Sequence, residues 1–346
     1  MSRRRLLSLL ALAALVVALD STSLPAETPA FARPRHHREQ GFRNLDPGYS
    51  YTMGERARRL LGRSIQGFPG LGPAMAVLSN DAVALRANGS QPTLTWIGHS
   101  TFLIQVDGVN ILTDPHWGQR ASPVSIAGPR RLVRPGIEFE DLPPIHAVII
   151  SHDHYDHLDT ATVERLAREH RPTFVVPLGV KAWLASIGIH EAIELDWWQT
   201  ARLGGLTFVC TPAQHSSGRT LNDQNLRLWS SWVILGRTRR LFFAGDTGYS
   251  PWLGQIGRLG PFDAAAIPIG GYSGWQSHHP NHLSPEEAVQ LFEDVRGRLL
   301  VPMHWGTFEL NREPVTEPPE RLLREALRRG IEEQMAPLSP GQTIHW

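Results

Sequence analysis

The chain has 346 residues, 41% of them hydrophobic and 19% charged, enough to bury a sizeable core and too apolar for a disordered or coiled-coil chain. Lys plus Arg (34) nearly cancels Asp plus Glu (33), which excludes an overall field that would gather nucleic acid, so no nucleic-acid partner is expected. The single cysteine, Cys210, excludes an internal disulfide and a multi-thiolate metal site, leaving sixteen histidines and the carboxylates as the available ligands.

Ser2-Arg3-Arg4-Arg5 leads into an apolar stretch, Leu6 to Leu19, of signal-peptide length and short for a membrane span. Residues 1–32 are therefore expected to be a signal peptide or N-terminal anchor, with small-residue cleavage sites at Ala26 and at Ala30-Phe31-Ala32. The paired arginines resemble a twin-arginine signal, so export to the periplasm or cell envelope is expected. Residues 33–90 read as a linker and N-terminal extension. Its first part, Arg33 to Tyr51, is polar, with His36 and His37 expected to be solvated and without a metal role. Weak helical patterns follow at Glu55–Leu61 and Ala74–Leu85, broken by a Gly- and Pro-rich run from Gly67 to Pro73.

Residues 91–346 read as one layered α/β domain. Leu94–Ile97, Thr101–Val106 and Val109–Thr113, with an Asp107-Gly108 turn, form an antiparallel opening meander. Further on, strand-like runs alternate with helices, and each run delivers a candidate ligand just past its end. Ala147–Ile150 leads to His152, Thr207–Cys210 to His215, Leu241–Ala244 to Asp246, and Leu299–Val301 to His304. In layered α/β folds the loops at the carboxyl ends of strands form the binding crevice. Asp159 can cap a helix over Thr160–His170, Ser284-Pro285-Glu286-Glu287 is a capping box, and a helix over Pro319–Arg329 ends at Gly330.

Ser151-His152-Asp153-His154-Tyr155-Asp156-His157 is the densest group of ligand types in the chain. His152 and His154, two apart at the end of a strand, can face one side, while Asp156 and His157 can face a second point nearby. Imidazole and carboxylate suit zinc and its first-row neighbours, and a catalytic ion keeps a position open for water. Two such ions roughly 3.5 to 4 Å apart make a nucleophile at neutral pH while polarising the oxygen under attack. His215, Asp246 and His304 are the natural donors for the remaining positions, with Asp246 the choice for a bridge. Any one of these residues alone is better read as an ordinary loop residue; the cluster with three separate strand-end ligands is not.

His-x-His-x-Asp-His after a buried strand, with His215, Asp246 and His304 downstream, resembles the metallo-β-lactamase superfamily. Longer segments resemble its N-acylphosphatidylethanolamine-hydrolysing phospholipase D branch: Thr95-Trp96-Ile97-Gly98-His99, Leu112-Thr113-Asp114-Pro115, Ile150 to Asp159 and Ile193 to Trp198. Phe243 to Tyr249, Ala266 to Gly270, Pro285 to Ala288 and His304 to Phe308 extend the likeness over about Thr93 to Pro319. The resemblance implies an α/β fold of αββα sandwich type with a binuclear metal site at the strand-end edge, in a hydrolase domain spanning 91–346. It implies two Zn2+, with Mn2+ or Fe2+ as alternatives: His152, His154 and His215 on one, Asp156, His157 and His304 on the other, and Asp246 between them. Asp246, Asp156 and His282 are the implied catalytic side chains, His282 matching a histidine close to the substrate phosphate. Asn281, where the branch has glutamine, and the stretch Gly270 to Pro280, with Trp275, His278 and His279, depart from the pattern. So does Ser216-Ser217-Gly218 after His215.

Around this set, His99 and Asp114 are candidates to support ligands, or simply tie the first loops together. Tyr155 is expected to pack, Cys210 to be a buried apolar group, and Arg219 is a candidate for a bidentate phosphate contact or an ordinary exposed arginine. Trp96, Trp197, Trp198, Trp229 and Trp232 are expected in the core, and a peripheral membrane contact, if any, within Phe68 to Leu85. The activity implied is phosphodiester hydrolysis of a phospholipid or other phosphodiester substrate, giving phosphatidic acid and an N-acylethanolamine. The alternatives are a lactonase or other carbonyl hydrolase of the same fold, and a non-catalytic zinc-binding envelope protein.

Overall fold

The computed structural model describes residues 34–46, 75–272, 279–310 and 313–346. The signal segment and the Glu55–Leu61 pattern lie outside these residues. The extension contributes α1 (Ala82–Ala87), shorter than the Ala74–Leu85 pattern because Asp81 accepts from the Ala84 amide and starts the helix there. The meander follows as β1 (Thr93–Gly98), β2 (Thr101–Val106) and β3 (Val109–Thr113). Then β4 (Ala147–Ile149), α2 (Thr160–Glu169), β5 (Thr173–Pro177), α3 (Val180–Ser186) and β6 (Ala192–Leu195) add three parallel strands to the same sheet.

A second sheet is built from β7 (Thr200–Leu203), β8 (Leu206–Thr211), β9 (Ser231–Leu235), β10 (Arg240–Phe243), β11 (Ala264–Pro268) and β12 (Leu300–Met303). Two helices, α4 (Pro285–Asp294) and α5 (Glu317–Arg329), flank it, and β13 (Thr343–His345) returns to pair with β1 at the edge of the first sheet. The sheet orders are β13-β1-β2-β3-β4-β5-β6 and β12-β11-β10-β9-β8-β7.

Side-chain alternation explains the layering. Phe102 and Ile104 of β2, Ile149 of β4 and Val175 of β5 face the inter-sheet core with Phe208, Trp232 and Phe243. Their neighbours Leu103, Val148, Phe174 and Val176 point the other way, onto Val163 and Leu166 of α2 and Val180 and Leu184 of α3. A strand covered on both faces reads as a continuous apolar run, which is why periodicity marks these segments without telling their two faces apart. On the far side, Ala288, Val289 and Phe292 of α4 join the core of the second sheet, completing the αββα order. The caps form as the sequence suggests: Asp159 accepts from the Thr162 amide, Ser284 and Glu287 close a capping box, and Gly330 ends α5 at φ 70°.

The polar stretch before the domain is not solvated as expected. His36 is 6% exposed, stacks on Trp197 with ring centroids 4.1 Å apart, and pairs through Nε2 with Asp196 Oδ1 at 2.7 Å. His37 Nε2 takes the other oxygen, Oδ2, at 2.8 Å, while Phe42 is buried in the inter-sheet core. Trp96, Trp197, Trp229 and Trp232 are core residues, but Trp198, in the turn after β6 with φ at 69°, is 46% exposed. Among the described residues no helix is long and apolar enough to cross a membrane.

Asp196 carries this attachment. Burial pushes its carboxyl up, but the bonds from His36, His37 and the Trp197 amide outweigh that and hold it below the ordinary aspartate range. With the folded value below the unfolded value of about 3.9, its contribution is whole at neutral pH and is lost as pH falls through the folded value. Asp196→Asn is expected to cost about 1–3 kcal/mol at pH 7 and to flatten the acid limb of the stability–pH profile. Chemical denaturation of both proteins from pH 7 to pH 3 checks this; parallel profiles would mean the pairing contributes nothing.

Candidate metal centre

All seven candidate ligands converge at one edge, carried by loops that leave the carboxyl ends of strands. The loop after β4 brings His152, His154, Asp156 and His157; those after β8, β10 and β12 bring His215, Asp246 and His304. His152 Nε2 and His154 Nδ1 are 2.8 Å apart, and His215 Nε2 lies 3.2 Å from the same His154 nitrogen. Asp156 Oδ2 is 3.4 Å from both His157 Nε2 and His304 Nε2. Asp246 sits between the two groups, its Oδ2 3.2 Å from His157, 3.1 Å from His304 and 3.7 Å from His215. His282 stands over the same oxygen, with Nδ1 at 3.7 Å.

The donor set fits a pair of divalent cations. His157 Nε2, both ring nitrogens of His304 and Asp246 Oδ1 are buried with no hydrogen-bond partner among the described residues, although buried polar atoms are normally paired. Burial, reinforced by neighbouring imidazoles, holds His152 well below the ordinary histidine range, lowers His154, and brings His215 down to about 3. These three present neutral lone pairs. Burial also disfavours charge on His157 and His304, but Asp246 and Asp156 outweigh it, raising His157 well above its ordinary value and His304 to about 9. Asp156 and Asp246 are in turn kept ionised by these imidazoles against their own desolvation.

Supporting residues hold the lone pairs in place. Asp114 Oδ2 takes His157 Nδ1 at 2.7 Å and the Ser151 hydroxyl at 2.6 Å, while Ser151 Oγ lies 2.9 Å from His152 Nδ1. One buried carboxylate thus orients a ligand in each group. His99 Nε2 meets Asp156 Oδ2 at 3.1 Å, and burial brings this histidine down to about 3. Backbone conformation contributes too: His99, Asp114 and His304 have φ of 54°, 35° and 61°, a strained region for non-glycine residues. Gly245, at φ +56°, has no such choice, because a Cβ there would lie 2.5 Å from Ser151 Cβ.

Arg219 is not exposed and not free for phosphate. Its guanidinium donates to the carbonyls of Asp153 at 2.9 Å and Leu158 at 2.8 Å, clamping both ends of the ligand loop, and lies 4.1 Å over the Tyr155 ring. Tyr155 packs as expected, its hydroxyl donating to the Arg219 carbonyl at 2.8 Å, and Cys210 is wholly buried. Asp153 is also fully buried, accepting from Arg227 and from the Gly218 amide at 2.7 Å. In the departing stretch, the Asn281 carbonyl lies 2.8 Å from His215 Nδ1, a backbone contact that does not depend on the side chain there. His279 Nδ1 accepts from the Asn281 amide at 3.1 Å, while Trp275 and His278 lie outside the described residues.

Sequence reasoning missed Asn44. Its side-chain amide donates to the His215 carbonyl at 2.8 Å and accepts from the His215 amide at 3.0 Å, and the Trp229 indole donates to the same oxygen at 3.0 Å. No local pattern marks a contact between residues so far apart in the chain.

A family model described as the beta-lactamase superfamily domain matches residues 109–305, from β3 to just past His304. The chain belongs to the metallo-β-lactamase superfamily. An uncharacterized protein of Mycobacterium tuberculosis is 44% identical over 299 residues, covering 84% of this chain and 79% of that protein. The N-acyl-phosphatidylethanolamine-hydrolyzing phospholipase D 1 of Caenorhabditis elegans is 42% identical over 241 residues, 66% of this chain and 68% of the relative. Among solved structures, Igni18, a metallo hydrolase from Ignicoccus hospitalis, aligns with a TM-score of 0.57 and 26% identity, covering 74% of this chain and 99% of that one. As a superfamily member with this centre, the protein is a metal-dependent hydrolase.

Two substitutions separate the roles around the ligands. Asp114→Ala is expected to weaken metal binding 10- to 100-fold, read by competition with a chelator of known affinity; unchanged binding would reduce Asp114 to a loop tie. Asn44→Ala, leaving both backbone groups of His215 unpaired, is expected to cost roughly 1–3 kcal/mol of stability by denaturant titration, and more in the metal-loaded form than after chelation. Equal losses in the two forms would detach Asn44 from the ligand.

Proposed function

We propose that the protein is a binuclear zinc phosphodiesterase of phospholipase D type, acting on N-acylphosphatidylethanolamine-like phospholipids. The observation that carries this reading is the paired donor set in a chain 42% identical to a phospholipase of that specificity. His152, His154 and His215 would hold one ion, Asp156, His157 and His304 the other, and Asp246 would contact both. Zinc suits a set of five imidazoles and two carboxylates without thiolate, and manganese or iron would be accepted by the same donors. Metal ions held there lower the pKa of water and offset negative charge gathering at phosphorus.

The chain's own residues supply orientation and proton handling. Hydrolysis places the hydroxyl of water on phosphorus, breaks the distal P–O bond, and gives a proton to the departing N-acylethanolamine oxygen, leaving phosphatidic acid. His282, beside Asp246 and with ring centroids of His215 and His304 at 5.2 and 5.3 Å, would hydrogen-bond a phosphoryl oxygen or the leaving group. Burial keeps its imidazole neutral, so one ring nitrogen carries a proton and the other a lone pair. Asp156 and Asp246 hold negative charge where the cations would sit.

Export by a twin-arginine route belongs to the same reading, since that route carries folded, metal-loaded proteins. Contact with a lipid surface belongs to the same reading, within the stretch that includes Leu78 and Val83, 43% and 74% exposed.

The test is product analysis by mass spectrometry after zinc-loaded protein and its Asp246→Asn variant meet N-acylphosphatidylethanolamine in mixed micelles. Phosphatidic acid and N-acylethanolamine are expected from the parent protein, with turnover at least a thousandfold lower and metal content reduced in the variant. A metal-replete parent that leaves the lipid intact would end the phospholipase reading, and an active, metal-replete variant would end the bridging role of Asp246.

A further inference from the structure

One imidazole nitrogen at the centre is left without a partner or a role. His282 Nδ1 is buried and makes no hydrogen bond among the described residues, a condition it shares with the ligand atoms His157 Nε2, His304 Nε2 and Asp246 Oδ1. It lies 3.7 Å from Asp246 Oδ2, too far for a hydrogen bond, and His215 Nε2 stands at the same 3.7 Å from that oxygen. Donor atoms of His215, Asp246 and His282 all lie within 4.8 Å of one another, a group that could hold one metal ion. His99 shows the contrast: its Nε2 meets Asp156 Oδ2 at 3.1 Å, so that ring is already paired and supports a ligand from outside.

The backbone around His282 leaves Nδ1 open toward the ligands. Gly271, at φ +91°, packs on the ring, and a Cβ there would stand 2.8 Å from Nδ1, 3.0 Å from Cγ and 3.3 Å from Cε1. Such similar distances place it over the face of the ring and not in the ring plane, where the Nδ1 lone pair points. Glu313 Oε1 fixes this turn by accepting from the Gly271 amide at 2.6 Å. On the other flank, His279 Nδ1 accepts from the Asn281 amide at 3.1 Å, and the Asn281 carbonyl lies 2.8 Å from His215 Nδ1. The residue before His282 therefore already orients a ligand of the same group.

We propose that His282 is an eighth metal ligand, its Nδ1 directed at the ion held by His152, His154 and His215. That ion then has four imidazoles and a share of Asp246, while the other keeps His157, His304, Asp156 and its share of Asp246. Four imidazoles and a shared carboxylate exceed the three protein ligands usual for a catalytic zinc, so this ion is the higher-coordinate of the two. With the lone pair on Nδ1, the ring proton is on Nε2, which leaves that edge as the one that donates to a substrate oxygen. The inference rests on the two-ion reading of the centre and deepens it, and it does not depend on which ester is cleaved.

The test uses metal alone, without lipid. Protein carrying isotope-labelled histidine is stripped with a chelator and loaded with spin-active Cd2+, and the imidazoles whose ring nitrogens couple to the metal are counted by NMR. Six are expected in the parent protein and five in His282→Ala. Titration with Zn2+ against a chelator of known affinity is expected to show one of the two binding steps weakened by about tenfold or more in the variant. Only five coupled imidazoles in a parent holding two ions would overturn the assignment, and that count needs no variant to fold. A count or a Zn2+ affinity unchanged by the substitution would overturn it equally. A parent that binds fewer than two ions would end the two-ion reading and the eighth ligand with it, whereas six coupled imidazoles in a protein that leaves the phospholipid intact would end the phospholipase reading alone.

Discussion

Asp246, buried, and Asp156, partly buried, are ionised carboxylates set among imidazoles, and their demand for positive charge governs the architecture around them. Removing such a group from water is costly unless it is paired, and here the pairing comes from His157 and His304, or from cations in their place. The other three imidazoles respond to the same burial in the opposite direction, by staying neutral. The result is one compact set of ligands split into lone pairs and negative charges, the division that two adjacent divalent ions require.

Holding that set against its own repulsion takes a rigid surround. The ligand loop between β4 and α2 is clamped at both ends by one guanidinium, Arg219, whose charge is absorbed by backbone carbonyls and by the face of Tyr155. Asp153, in the middle of the loop, points away from the ligands into an ion pair with Arg227. Asp114 spans the two ligand groups through His157 and Ser151. These polar groups build no part of the metal's immediate shell, yet each removes a degree of freedom from a residue that does.

Much of this was legible from the residues. The strand-end ligands, the capping box at Ser284 and the Gly330 stop are local signals, carried by periodicity and by the chemistry of helix ends, and each appears where the pattern put it. The same reasoning misread His36 and His37, because a polar, Pro- and Arg-rich stretch gives no sign of the acidic partner waiting at Asp196. It also left Arg219 as a phosphate ligand or an ordinary exposed arginine, since an arginine after a candidate ligand histidine looks alike whether its partners are substrate oxygens or main-chain carbonyls. Trp198 went wrong for a simpler reason: it sits in the turn after β6 with φ at 69°, which turns its ring outward.

Taken by itself, the amino-acid sequence determined the order of strands and helices, the family, and the identity of the seven residues that gather at the strand-end edge. Those properties depend on near neighbours along the chain, or on spacing kept by a common fold. Tertiary structure alone decided which distant polar groups meet: Asn44 with the backbone of His215, His36 and His37 with Asp196, and Glu313 with Gly271. Hydrogen bonds of this kind act over about 3 Å and join segments brought together by packing of the two sheets, so no periodicity in the chain foretells them.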